Sequence, residues 1–260
     1  MSAPAQVQAL QVWRDREDKL LRLRLSRPKA NIIDAATLTV LDRALADSAN
    51  DLHLHSVLLD TEGPNFSFGA SVSEHLPGQC REMLEMLHKL VLRMLDYPVP
   101  ILVAVRGQCL GGGLEVALSG HLIFATSDSR LGQPEIQLGV FPPAASCLLP
   151  ERIGIAQAED LIYSGRIISG EEALRIGLVN AISDDPEAAA LAYYDAHLGK
   201  RSASSLRFAL PAARADMVDR VRAKLAHVEA TYLNELMRTR DAVEGLQAFL
   251  EKRPPVWEDR

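Results

Sequence analysis

The apolar run at 101–105, "ILVAV", is followed five residues later by three consecutive glycines, 111–113. Glu115 then stands inside a further apolar stretch, "LEVAL". A short continuous apolar run reads as a strand covered on both faces, which places the chain among sheets flanked by helices. Glycines give up conformational freedom on folding, and a buried unpaired carboxylate is costly. Two explanations fit the combination. One is a tight turn into a partly exposed helix. The other is a backbone brought close to a ligand, with an acid or base beside it.

Other segments repeat the strand–helix alternation. "LLRLRL" (20–25) alternates as a half-buried strand does, and "RPKANIID" follows as a turn. Asp34 is placed to cap a helix whose apolar face uses Leu38, Leu41 and Leu45. "HSVLLD" (55–60) predicts a buried strand, and a long loop leads to an amphipathic helix over 79–96 with Met83, Leu87, Leu90, Val91 and Met94 on one face. This order predicts an α/β architecture. Beyond residue 150 helices dominate, and "LVNAI" is the only convincing strand. From 202 onward the chain reads almost entirely as helix, with Val218, Val221, Leu225, Val228 and Leu236 along one side. The expected division is an α/β core over 1–200 and a helical region over 201–260. Such a tail must bury its stripe against the core or another subunit.

A chain of 260 residues that is 48% hydrophobic can bury a substantial core. Its net charge of −6 argues against a generalised polyanion-binding surface, so no nucleic acid is expected as a partner. Residues 1–13 lack a basic start and a sustained apolar run, and "ILVAV" is far too short to span a bilayer. Neither a targeting segment nor a membrane partner is therefore expected. Cys80, Cys109 and Cys147 are scattered and odd in number, which fits a reducing cytoplasm.

The spacing from Gly107 is G-x-x-x-G-G-G, which matches neither a dinucleotide fingerprint nor a P-loop, and a G-x-S-x-G elbow is absent. His53 and His55 would lie on one strand face, where solvent exposure is the expectation and no metal is expected. The carboxylates are more informative. Glu115 opens a helix after glycines, where backbone N–H groups can meet an anionic oxygen. Glu135, in "GQPEIQLG", follows a proline in a loop at a strand end. Brought together, the two could hold a water, one removing its proton while the other protonates carbon. On the residues alone the signal is weak, and a helix-dipole role for Glu115 with a surface position for Glu135 is the simpler reading.

Taken in order, "FSFGAS", "RGQCLGGGLEVAL", "GQPEIQLGVFPPAAS", "RIGLV" and "DAVEGLQAFLEKR" resemble the crotonase (enoyl-CoA hydratase/isomerase) family from about Leu20 to Arg253. The resemblance implies a crotonase-like α/β fold of stacked β-β-α turns, with a helical C-terminal region that assembles homotrimers or homohexamers. It implies an acyl-CoA thioester as substrate, with no cofactor beyond the CoA that the substrate carries. Its two oxyanion-hole N–H groups fall on Ala70 and Gly112, and its acid/base pair on Glu115 and Glu135. Phe68, Ser71, Val72, Gly111, Phe141 and Pro143 fall around the acyl group. Phe249 and Lys252 fall where the family meets the nucleotide end of CoA.

Two positions depart from the common hydratase pattern. "FPPAAS" stands where family hydratases commonly read I-P-G-A-G-G, so Pro143 replaces a glycine whose N–H can help hold the water. Ser71 replaces the usual aspartate. Phe66, Phe68 and Phe141 suggest an apolar pocket shaped for a flat ring. With "SASSLRFA", these features resemble a narrower group of the family, hydratases that add water 1,4 to a cyclic dienoyl-CoA. The alternatives are a general 2-enoyl-CoA hydratase and a non-catalytic, RNA-binding homologue.

Overall fold

The computed structural model describes residues 9–27 and 29–260. Most of the segment read for a targeting signal (1–8) and Pro28 of the predicted turn lie outside the described residues. In chain order the strands are β1 (Leu10–Asp15), β2 (Leu20–Leu25), β3 (Ser56–Thr61), β4 (Ile101–Val105), β5 (Gln108–Leu110), β6 (Leu122–Ala125), β7 (Arg130–Gly132), β8 (Ile167–Ser169) and β9 (Ala181–Ile182). The helices are α1 (Ala35–Ser48), α2 (Cys80–Leu95), α3 (Gly112–Ser119), α4 (Pro143–Ile153), α5 (Ile155–Ser164), α6 (Gly170–Arg175), α7 (Pro186–Tyr193), α8 (Ala203–Asn234) and α9 (Arg240–Glu251).

The strands form two layers. The larger sheet runs β1-β2-β3-β4-β6-β9 and the smaller β5-β7-β8. Only β1–β2 in the first and β7–β8 in the second are antiparallel. Each turn of the fold crosses both sheets and returns through a helix: β4–β5–α3, then β6–β7–α4. Stacking follows from register, with Leu102 opposite Leu122 in one sheet and Cys109 opposite Leu131 in the other. An isolated bridge from Ser67 to Cys109 carries the smaller layer back to the chain after β3. These are the stacked β-β-α turns that the sequence led us to expect. Every residue of β3 and β4 is buried, as their apolar runs require.

Several local expectations hold and others change. Asp34 caps α1, accepting from the Thr37 N–H at 2.9 Å, and Leu38, Leu41 and Leu45 are buried. β2, expected to be half-buried, lies between two strands and is covered on both sides. Its Arg22 is 4% exposed and pairs with Asp60 at 2.7 Å and Glu187 at 2.5 Å, with the Trp13 ring 4.8 Å away. A planar guanidinium can satisfy several acceptors at once, which makes such burial tolerable. The short strands β5, β7 and β8 carry too few residues for a readable period. "LVNAI" reduces to a two-residue strand. His53 and His55 precede β3 rather than sharing a strand face, and no group of three metal-binding side chains forms among the described residues.

Of the C-terminal stripe, Val218, Val221 and Leu225 are buried where α8 crosses α2 and α4. Leu236 falls in a separate 3₁₀ turn, Leu236–Arg238. His88 of α2 also contacts Glu229 of α8. Among the described residues no helix is long and apolar enough to cross a membrane.

Candidate active site

α3 begins directly at the glycine run, and its sequence position explains the glycines one by one. Gly111 has φ 49°, a left-handed conformation that L side chains rarely adopt, and a Cβ there would lie 2.6 Å from Glu135 Oε1. A Cβ at Gly112 would lie 2.9 Å from the Ala70 Cβ and 3.2 Å from the Ala70 nitrogen. The missing side chains let two backbone segments and one carboxylate share a space that alanine would fill.

Ala70 is held by its neighbours. Ile33 donates its N–H to Gly69 O at 3.0 Å and accepts from the Ser71 N–H at 3.2 Å. The alternation of an extended chain turns the intervening Ala70 N–H the other way, toward Gly112. Among the described residues neither the Ala70 nor the Gly112 N–H meets an acceptor. Two adjacent, fixed, unclaimed donors beside a cavity can bind a developing oxyanion.

Glu115, on the first turn of α3, is 3% exposed, and its Oε1 accepts from the Ala145 N–H at 2.8 Å. Burial raises its pKa, while hydrogen bonds from Ala145 and Ala144 and the His88 charge oppose the rise. Glu135 sits in a 3₁₀ turn, Pro134–Leu138, immediately beyond β7, not in an irregular loop. Its carboxyl is pushed well above the ordinary range, first by burial and then by the charge of Glu115. Two interacting carboxyls with unequal surroundings separate into a more readily ionised one and a more readily protonated one.

Both face a cavity of about 420 Å³, a size that suits a small-molecule acyl group. Its walls include Phe68, Ala70, Val72, Gly111, Gly112, Phe141 and Pro143, with Phe249 at the C-terminal side. Ser71 is not among the lining residues; its hydroxyl meets Ser73 Oγ at 3.0 Å. Lys252 is not either. It ends α9 in a left-handed conformation and is exposed, while the neighbouring Arg253 lines the cavity and pairs with Glu244 at 2.5 Å. Phe66, expected near the acyl group, is fully buried in the core. Pro143 is the first residue of α4, where a missing N–H costs nothing, and the backbone donor that reaches a glutamate comes from Ala145.

Three further residues enter the site that the sequence reading did not assign to it. Gln133 is fully buried, and the inner atom of its carboxamide stands 3.1 Å from both Glu135 carboxyl oxygens. With nitrogen inward it donates to an ionised Glu135; with oxygen inward it accepts from a protonated one. His75 lines the cavity and its Nδ1 lies 2.9 Å from Ser71 O, an acceptor, so the proton is on Nδ1. Burial holds this imidazole below its ordinary pKa, hence neutral. Tyr232, from α8, packs edge-on against Phe141 with ring centroids 5.3 Å apart. "GQPE" was a visible signal for Gln133, but nothing local marks a helix residue nearly a hundred positions later as part of the same wall.

Comparison with known proteins identifies relatives of this chain and of its fold. The enoyl-CoA hydratase/isomerase family profile matches residues 15–260. The chain is 62% identical to cyclohexa-1,5-dienecarbonyl-CoA hydratase of Thauera aromatica, over 96% of this chain and 97% of that one. It is 36% identical to a probable enoyl-CoA hydratase of Bacillus subtilis, over 90% and 93% of the two chains. Among solved structures, an enoyl-CoA hydratase/isomerase from Pseudoalteromonas atlantica superposes with a TM-score of 0.84 at 26% identity, covering 96% of this chain and 99% of that one. An enoyl-CoA hydratase from Mycobacterium avium subsp. paratuberculosis shares the fold, with a TM-score of 0.85 at 24% identity over 97% and 100%. With agreement of this extent running through both sheets and the C-terminal helices, the chain belongs to the enoyl-CoA hydratase/isomerase family.

Proposed function

We propose that this chain hydrates cyclohexa-1,5-diene-1-carbonyl-CoA to 6-hydroxycyclohex-1-ene-1-carbonyl-CoA, a reaction of anaerobic benzoyl-CoA degradation. The observation that carries hydration is the convergence of Glu115 and Glu135 on one cavity with the unclaimed N–H groups of Ala70 and Gly112. The likeness to the Thauera enzyme supports the cyclic substrate.

In the proposed mechanism the thioester carbonyl accepts from Ala70 and Gly112. Glu115, positioned by the Ala145 N–H, takes a proton from water as the water oxygen bonds to the β-carbon. The electrons move through the ring to the carbonyl oxygen, where the two donors meet the charge. Glu135, the more readily protonated carboxyl, then delivers its proton to the far end of the dienolate. Transfer of the captured proton from Glu115 to Glu135 restores the starting state, and the net change is addition of one water. Val72, Phe141 and Pro143 supply an apolar wall for a flat ring. Phe68 and Gly111 border the carbonyl end, and Ser71 supports the loop beside Ala70 rather than the acyl group. No cofactor takes part.

The test is turnover of the cyclic dienoyl-CoA against crotonyl-CoA. We expect kcat/KM to favour the cyclic thioester by about a hundredfold, the scale on which a shaped apolar pocket discriminates. A preference for crotonyl-CoA would make the enzyme a general 2-enoyl-CoA hydratase.

Phe249 and Lys252 are proposed to meet the nucleotide end of CoA. Lys252→Ala should raise KM a few-fold, more at low ionic strength, with kcat nearly unchanged. An unchanged KM at low salt removes Lys252 from the site. The C-terminal helices are proposed to assemble homotrimers or homohexamers, which sedimentation would test. The buried free thiols of Cys80, Cys109 and Cys147 support a cytoplasmic location.

A further inference from the structure

Much of the cavity wall away from the two glutamates is apolar. Leu84 and Leu87 of α2, Val72, Val140 and Phe141 line it, and Tyr232 of α8 lies among them. Tyr232 is 1% exposed, and among the described residues its hydroxyl has no hydrogen-bond partner. Phe141 already contributes an aromatic ring to this wall without a polar atom, so apolar packing alone does not call for an O–H at the neighbouring ring. A buried hydroxyl without an acceptor is costly to the free protein, and the cost is recovered only when an acceptor arrives.

The surroundings also fix what the group can do. Burial raises the phenol pKa, and the charges of Cys80, Glu135 and Glu115 raise it further. The phenol therefore keeps its proton and acts as a donor, not as a base. Pro143 has no N–H to offer the incoming water, and the Ala145 N–H is already taken by Glu115.

We propose that the Tyr232 hydroxyl contacts the reacting oxygen directly. It donates a hydrogen bond to the water that Glu115 deprotonates, and then to the ring hydroxyl that this water becomes. In the reverse direction the same bond steadies the departing hydroxyl. The phenol proton is never transferred. This inference rests on the hydratase reading above.

The test combines Tyr232→Phe with two ligands that differ only in the ring hydroxyl: 6-hydroxycyclohex-1-ene-1-carbonyl-CoA and cyclohex-1-ene-1-carbonyl-CoA, which has none. We expect kcat for hydration to fall by about 10- to 100-fold, and affinity for the hydroxylated thioester to fall about tenfold. Affinity for the cyclohexene thioester without the hydroxyl should stay within about twofold, and the melting temperature should hold or rise because an unsatisfied group has been removed. Equal weakening of both ligands, or a lowered melting temperature with unchanged kcat, would show that Tyr232 only packs and would overturn the proposal. In the wild type, the hydroxylated thioester should bind more tightly than the one without the hydroxyl; equal affinity also overturns it. If the wild type itself fails to hydrate the cyclic diene, the functional reading falls, and this inference with it. If the wild type turns over and Tyr232→Phe matches it, only the Tyr232 assignment falls.

Discussion

Glu115→Gln and Glu135→Gln are each expected to lower kcat by about 100- to 10,000-fold, the range for removing a positioned acid or base. KM should change little, because both carboxyls act on protons that move only in the transition state. Steady-state kinetics on the cyclic dienoyl-CoA would check this, and a variant retaining full kcat would make that glutamate structural. Glu135→Gln carries a second readout. Its carboxyl titrates well above the ordinary value of 4.5 in the folded chain, by burial and by the charge of Glu115. A carboxyl whose folded pKa exceeds its unfolded pKa is bound more tightly to its proton in the folded state. The stability it contributes is present at low pH and is lost as pH rises from the unfolded value through the raised one. Glutamine removes that loss. The variant should therefore melt a few degrees higher than the wild type at about pH 7.5, and the two should converge near pH 4. A wild type that is as stable as the variant at neutral pH would contradict the raised pKa.

Gly112→Ala should reduce kcat by about 100-fold or more, close to the cost of losing one oxyanion donor. The added methyl would meet the Ala70 nitrogen at 3.2 Å and the Ala70 Cβ at 2.9 Å, so the two donors must move apart. Gly112 has no left-handed φ, and alanine favours a helix start over glycine, so α3 itself should not suffer. The expected pattern is a folded protein that still binds CoA esters but turns them over slowly. Full activity in this variant would place the carbonyl oxygen elsewhere.

How far these residues could be read before folding depends on how local their signals are. The apolar run at 101–105 defines a buried strand because its neighbours along the chain are all apolar. Asp34 caps α1 through a contact three residues away, and the α2 stripe follows a helical period. Gly111 to Glu115 form a local unit too, since a glycine run that opens a helix places a carboxylate on its first turn. These features, with the ordered motifs that resemble the family, were legible in the sequence. The three short strands of the smaller sheet were not, because three residues carry no period and only pairing defines them.

The tertiary structure alone decided the asymmetry of the carboxyl pair. It depends on Ala145 bonding to Glu115 across thirty positions and on the charge that Glu115 places beside Glu135. It also moved Phe66 into the core, left Ser71 and Lys252 off the cavity wall, and brought Arg253 onto it. Tyr232 reaches the same cavity only because α8 folds back across α2 and α4. Capping and periodicity act within a turn or two of the chain, whereas a site is assembled by packing between segments far apart in it. The residues that bracket the glycines could therefore be read in advance, and those facing them from distant helices could not.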